Sequence, residues 1–188
     1  MNQTPKQQLR QPFGFFMENL LARTFFESGI IVYSYKFSRE NYDEKYDVIL
    51  NNIDKQVEKN NLYNIDLIRW ENNEIIISEI KSKYGPNIDE PRIYFTKLQL
   101  EKFLILSNAG KNVTIFIMFA LDTPRFVEIP FNEFKIPNFE NKREDRITLR
   151  IPLNYRDTSK YVKLPAHFYN YQDLDSLINL LKRLYNKK

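Results

Sequence analysis

Cysteine, histidine and long apolar runs are scarce in this sequence, and each shortage excludes a class of function. There is no cysteine, which rules out disulfides, thiolate nucleophiles and cysteine-ligated zinc or iron–sulfur centres. The single histidine, His167, argues against a histidine-based metal site or catalytic triad. The longest apolar stretch, residues 113–121, is interrupted by Thr114 and is shorter than the roughly 20 residues of a membrane-spanning helix. Any bound metal would then be held by oxygen ligands, as Mg²⁺ and Mn²⁺ usually are.

The overall composition is that of a globular protein with a mild basic excess. The chain has 188 residues, of which 43% are hydrophobic and 28% charged, and its formal net charge is +4. This length suits a single domain. The first ten residues are polar and lack the apolar centre of a signal peptide, so we expect a protein of the cytoplasm, or of the host-cell cytoplasm if it is viral, with no membrane partner.

The order of apolar patterns predicts an α/β fold. Residues 13–28 have helical spacing with Gly29 as a stop signal, and residues 30–35 suit a strand. The polar segment 38–61 is interpreted as a long insertion, in which a short helix or strand is left open. Strands and helices then alternate along the chain, which is typical of an α/β domain. The further predicted elements are strands at 65–70, 74–81, 113–121, 126–129, 147–151 and 161–164, a helix at 96–108, and a final helix from Asp173 onward.

Two neighbouring predicted strands carry acids where buried strands usually carry hydrocarbon. Side chains alternate along a strand, so Glu79 and Lys81 share one face of theirs, and Asp66 lies on one face of the strand before it. If the two strands pair around the turn at residues 71–73, the carboxylates of Asp66 and Glu79 converge. Two carboxylates and a backbone carbonyl, most simply that of Ile80, are ligands that Mg²⁺ prefers.

The remaining candidates complete a site for in-line hydrolysis of a phosphodiester. Lys81 would stand beside the attacking water, where a cation can orient it and offset charge on the phosphorane. Glu18 shares a helix face with apolar residues, so it would point inward and add a carboxylate or hold a metal-bound water. Gln99 fits either an active-site role or a capping box with Thr96.

Each candidate also has a purely structural interpretation. Glu79 and Lys81 could form an ordinary ion pair, Asp66 could cap a turn, and Glu18 could be a partly exposed helix residue. The basic residues Lys83, Arg92 and Lys97 cluster after the acidic pair, with Arg23 nearer the amino terminus, and are candidates for contacts with DNA phosphates. A solvated charged surface is the alternative for each of them.

With these residues, the sequence resembles the PD-(D/E)xK nuclease superfamily and, within it, the archaeal Holliday junction resolvases. Asp66 and the Glu79-Ile80-Lys81 triplet match its signature, and Glu18 matches the acid that many members carry on the first helix. The signature proline is absent, and Ile65 stands in its place. The resemblance extends over residues 14–32, 65–68, 75–83, 92–100 and 126–134.

The resemblance implies a restriction-endonuclease-like fold, a central mixed β-sheet flanked by helices, with a C-terminal extension ending in a helix. It divides the chain into a nuclease core at 1–137 and an extension at 138–188 packed on the same domain. It also implies a homodimeric endonuclease of DNA recombination that cuts four-way junctions with Mg²⁺, for which Mn²⁺ may serve as a substitute. The alternatives are another nuclease of this superfamily acting on linear or single-stranded DNA, and a non-catalytic DNA-binding protein.

Overall fold

The computed structural model describes residues 5–34, 37–84, 92–120, 123–139, 145–170, 172–173 and 176. Within these ranges the chain forms a mixed α/β fold. The helices are α1 (Pro5–Glu27), α2 (Asp47–Lys59) and α3 (Lys97–Asn108). The strands are β1 (Ile31–Ser34), β2 (Leu67–Glu71), β3 (Glu74–Tyr84), β4 (Arg92–Thr96), β5 (Asn112–Ala120), β6 (Arg125–Pro130), β7 (Arg146–Arg150) and β8 (Val162–Lys163). No helix of the described part is long and apolar enough to cross a membrane.

The main sheet is mixed and has the strand order β1-β2-β3-β5-β6-β8. Strands β3 and β5 run parallel, and the other neighbouring pairs are antiparallel. The hairpin between β2 and β3 turns at Asn72 and Asn73, whose φ angles are 52° and 64°. Two consecutive residues with positive φ are typical of the tight turns that match the twist of a hairpin, and asparagine tolerates them.

Helix α1 covers one face of this sheet. Its buried side chains Met17, Leu21 and Ala22 pack in one apolar cluster with Leu67 of β2 and Ile80 of β3. The helix ends before Gly29, which has a φ of 80°. A glycine in the left-handed region at that position is a common helix stop. The predicted stop signal is therefore confirmed, although the helix begins earlier than the predicted Phe13.

Helices α2 and α3 cover the opposite face, together with a second sheet of two strands. Strands β4 and β7 pair antiparallel, and their inward side chains join those of both helices in a separate apolar cluster with Ile68 and Ile77. The buried members contributed by α2 and α3 are Leu50, Ile53, Val57, Leu100, Phe103 and Leu106. The main sheet thus lies between helices, with the β4–β7 pair added on the α3 side.

The structure departs from the sequence expectations in several elements. The polar segment 38–61 contains the 13-residue helix α2, whose apolar residues lie in the core. Residues 92–96 form strand β4, which was not predicted and pairs with β7, a strand far away in the sequence. The predicted strands at 113–121, 126–129 and 147–151 are confirmed with shifted ends. Most of the predicted final helix, and the loop at 85–91, lie outside the described residues.

Candidate metal-dependent active site

The hairpin of β2 and β3 brings the two signature carboxylates together. Leu67 is the Cα partner of Ser78 at the end of the ladder, so continuing this register by one residue places Asp66 opposite Glu79. The Asp66 carboxylate accepts a 2.8 Å hydrogen bond from the backbone N–H of Ile80. The bond holds Asp66 against β3 although Asp66 precedes β2 itself. The turn between the strands therefore sets the spacing of the two acids.

Glu79 is a buried carboxylate with unequal partners at its two oxygens. Only 2% of the residue is exposed. Its Oε1 atom accepts bonds from Lys81 Nζ at 2.6 Å and from Gln99 Nε2 at 3.0 Å. Its Oε2 atom is buried and has no hydrogen-bond partner among the described residues. A buried charged oxygen without a partner is costly, by about 1–3 kcal/mol or more. The Oε2 atom is thus available to a cation.

Gln99 forms the predicted capping box and also contacts the Glu79 carboxylate. Its side-chain oxygen accepts from the backbone N–H of Thr96 at 3.1 Å, and the Thr96 hydroxyl accepts from the Gln99 backbone N–H. This is a complete capping box at the start of α3. The other end of the same amide donates to Glu79. The helix cap therefore fixes the side chain that holds the Glu79 carboxylate.

Lys81 lies between the acids and the β4–β7 pair. Its ammonium group is paired with Glu79 and lies 4.6 Å from the ring centroid of Phe95, a buried residue of β4. A cation over an aromatic face is stabilised electrostatically. Burial lowers the pKa of Lys102, one helical turn beyond Gln99, while the charge of Glu79 acts in the opposite direction. Its ammonium group donates to the Asn61 carbonyl. No sequence pattern points to Lys102, because only the position of α3 connects it with β3.

Glu18 reaches the site from the other face of the sheet. Helix α1 packs on the face that carries Ile80, whereas Glu79 lies on the opposite face with Ile77. A Cβ atom built on Gly14 would lie 3.7 Å from Glu18 Oε1 and 3.9 Å from Ser82 Oγ. Glu18 thus projects into the space between α1 and β3 beside Ser82. The three acids approach one region from two sides of the sheet.

The electrostatics show that these acids are close enough to repel one another. Burial, the charge of Glu79 and the charge of Glu18 raise the pKa of Asp66 from 3.8 to about 8. Burial first, and then Glu79, raises the pKa of Glu18, while Lys81 acts in the opposite direction. Like charges held in a low-dielectric site disfavour joint ionisation. A bound cation would relieve the repulsion.

The donor set fits a hard divalent cation such as Mg²⁺ or Mn²⁺. Asp66 and Glu79 offer carboxylate oxygens, Glu18 stands nearby, and the carbonyl of Ile80 belongs to the same stretch of β3. No three carboxylate or imidazole side chains of the described residues are grouped closely enough to form a complete metal cage. Mg²⁺ ordinarily keeps several waters and binds only one or two protein carboxylates, so two acids and a carbonyl are consistent with its usual coordination.

The four residues predicted to contact DNA lie in different places. Lys83 is on the same face of β3 as Lys81, and its Nζ atom lies 5.4 Å from the ring centroid of Tyr94. Arg92 begins β4, the strand whose Phe95 contacts Lys81, and Lys97 begins α3, the helix whose Gln99 contacts Glu79. Arg23 instead lies five residues beyond Glu18 on α1, beside Glu27 and over the ring of Phe168. Contacts of these residues with DNA remain predictions.

Comparison with known proteins gives a limited result. No family model and no curated protein matches the sequence. Among solved structures, the fold is similar to that of Hjc from Archaeoglobus fulgidus, a Holliday junction resolvase from an archaeal hyperthermophile. The TM-score is 0.44 with 10% sequence identity, over 82% of this chain and 94% of that one. A likeness of this size assigns neither a family nor an activity.

Proposed function

We propose that this protein is a Mg²⁺-dependent DNA endonuclease that hydrolyses phosphodiester bonds. The observation that carries the proposal is the buried Glu79 carboxylate, which is held at one oxygen by Lys81 and Gln99 and is free of hydrogen bonds to the described residues at the other. Asp66 faces it from the adjoining strand. The resemblance of Asp66, Glu79, Ile80, Lys81 and Glu18 to the nuclease signature supports the same conclusion, as does a mixed sheet between helices.

The proposed role of each residue follows from its surroundings. Asp66, Glu79 and the Ile80 carbonyl would hold the cation, with Glu18 as a further acid or a partner for a bound water. When bound, Mg²⁺ supplies Lewis-acid stabilisation of the charge on the phosphoryl oxygens. Lys81 would position the attacking water and offset the developing negative charge. Gln99 keeps Glu79 oriented, because its amide is itself fixed by the cap of α3.

The proposed substrate is branched DNA such as a Holliday junction. The sequence resembles junction resolvases in the segments that follow the site, residues 92–100 and 126–134, as well as in the site itself. Cleavage of a four-way junction by paired symmetric nicks would require two active sites, which is the basis for proposing a homodimer. The proposal therefore also includes a restriction-endonuclease-like fold and a homodimer.

The test compares cleavage of four-way junction, flap, single-stranded and linear duplex DNA in the presence of Mg²⁺. The wild type should cut the junction by paired nicks, and Asp66→Asn should abolish cleavage. Asp54→Asn is the matched control, because this aspartate lies on α2 with a 44% exposed side chain. Equal cleavage of linear duplex would refute the junction preference and leave the nuclease intact. Absence of cleavage on every substrate, with Mg²⁺ or Mn²⁺, would refute the nuclease itself.

A further inference from the structure

The outer face of the β4–β7 pair is basic and carries no acid. Residues alternate along both strands, so Ile93, Phe95, Ile147 and Leu149 point into the core. The opposite face, here called the basic ribbon, consists of Arg92, Tyr94, Thr96, Arg146, Thr148 and Arg150. Three of these six side chains are arginines, and neither strand contains aspartate or glutamate. An ordinary solvated strand face mixes both signs of charge, so this composition requires a reason.

The cations of the basic ribbon are placed next to one another. Arg92 and Arg150 are directly opposite Cα partners in the ladder. The Arg146 guanidinium lies 3.9 Å from the ring centroid of Tyr94, and Lys83 Nζ lies 5.4 Å from the same centroid. Because Arg146 and Lys83 lie against the same ring, positive charge is concentrated at this part of the sheet. Such a surface attracts a polyanion.

The basic ribbon is continuous with the candidate active site. Lys81 and Lys83 lie on one face of β3, about 7 Å apart at the strand rise of ~3.3 Å per residue. Lys81 touches the inner residue Phe95 of β4, while Lys83 touches the adjacent outer residue Tyr94. A chain of positive groups therefore leads from the carboxylates onto the ribbon. A strand of DNA is the polyanion that matches a path of this kind.

We propose that the basic ribbon binds the phosphate backbone of the duplex arm next to the scissile phosphate, through Arg146 and Arg150 of β7 together with Lys83. This inference rests on the proposed nuclease function and deepens it by assigning a DNA-contacting surface to which the extension 138–188 contributes strand β7. Phosphate contacts fix the position of a duplex without reading its sequence. The ribbon would accordingly contribute affinity and placement but no base specificity.

The test measures binding of duplex and junction DNA in EDTA, where cleavage does not interfere. Arg146→Gln/Arg150→Gln should weaken binding of both by about 10-fold or more, and should reduce the slope of log K against log salt by roughly 1.8, for two lost phosphate contacts at ~0.9 each. The charge-matched control is Lys55→Gln/Lys59→Gln, on the exposed side of α2. It should change the affinity by less than about 2-fold.

Two further measurements separate phosphate binding from an effect on folding. Without DNA, the glutamine double variant should melt within about 4 °C of the wild type, because Arg146 and Arg150 are exposed and exposed charges contribute little to stability. Arg146→Lys/Arg150→Lys should restore most of the affinity, because lysine keeps the charge. Unchanged affinity in the glutamine variant, or an equal loss in the α2 control, would refute DNA binding by the basic ribbon. Cleavage by the wild type would in that case still support the nuclease function. A wild type that neither binds nor cuts DNA would overturn both.

Discussion

The raised pKa of Asp66 makes a quantitative prediction about stability without metal. In the folded protein its pKa is about 8, against a reference value of 3.8. A carboxyl group with a raised pKa contributes most to stability when it is protonated, below pH 4. That contribution is lost as the pH rises through the folded pKa. Metal-free protein should therefore lose stability between about pH 4 and pH 8, and Asp66→Asn should not show this part of the loss.

The size of the effect follows from the shift. At pH 7 the carboxyl group is ionised in the unfolded state, because the pH is about three units above its unfolded pKa. At 1.36 kcal/mol per unit, the folded state then loses roughly 4 kcal/mol of stability. Burial is the largest cause of the shift, followed by the charges of Glu79 and Glu18. We therefore expect a gain of about 2–4 kcal/mol for Asp66→Asn in EDTA at pH 7. In a domain of this size that corresponds to about 4–16 °C in melting temperature.

Asparagine is the appropriate substitution because its side-chain oxygen can still accept the bond from the Ile80 N–H. The assay is thermal unfolding of both proteins in EDTA at pH 5, 6, 7 and 8, repeated with Mg²⁺. The difference in melting temperature should widen as the pH rises, and Mg²⁺ should stabilise the wild type alone. Asp54→Asn, at an exposed ion pair worth at most about 1 kcal/mol, is the control. A wild-type curve that is parallel to that of Asp66→Asn at all pH values would refute the convergence of the acids.

Three further predictions concern single side chains. Lys81→Met should lower kcat for DNA cleavage by about 100-fold or more but retain Mg²⁺ binding in calorimetry, and loss of Mg²⁺ binding would contradict a role in the chemistry. Gly14→Ala should raise the free energy of unfolding by up to about 1 kcal/mol, because alanine favours a helix more than glycine does. The added Cβ atom would come no closer than 3.7 Å to Glu18, so destabilisation would contradict that spacing. Arg69→Ala should lower the free energy of unfolding, measured with urea, by about 3–5 kcal/mol, because this 3% exposed cation is paired with two carboxylates. An unchanged free energy of unfolding would contradict a structural role.

Local sequence patterns were sufficient for the hairpin that carries the signature. Alternation placed Glu79 and Lys81 on one face, and the asparagine turn set the pairing that brings Asp66 opposite Glu79. The capping box of Thr96 and Gln99 could also be predicted, since its residues are three positions apart. These features depend on neighbours in the chain, and neighbours share the geometry of a single helix, strand or turn.

Contacts between segments far apart in the chain could not be predicted from local sequence patterns. Strand β4 consists largely of residues that favour strands, but its partner β7 lies far along the chain, so no local pattern indicates this pairing. Helix α2 was hidden in a polar segment, because its three buried residues are spaced among charged ones.

The sequence by itself determined the candidate chemistry, because the residue types, the absence of cysteine and the two-residue spacing of Glu79 and Lys81 leave oxygen ligands and a nearby cation. Only the tertiary structure decided how Glu18 approaches, since α1 packs on the face of the sheet opposite to Glu79. It also decided that Lys102 lies near the site and that β4 and β7 form one basic ribbon. The physical reason is that long-range pairing and helix docking depend on the packing of the whole core.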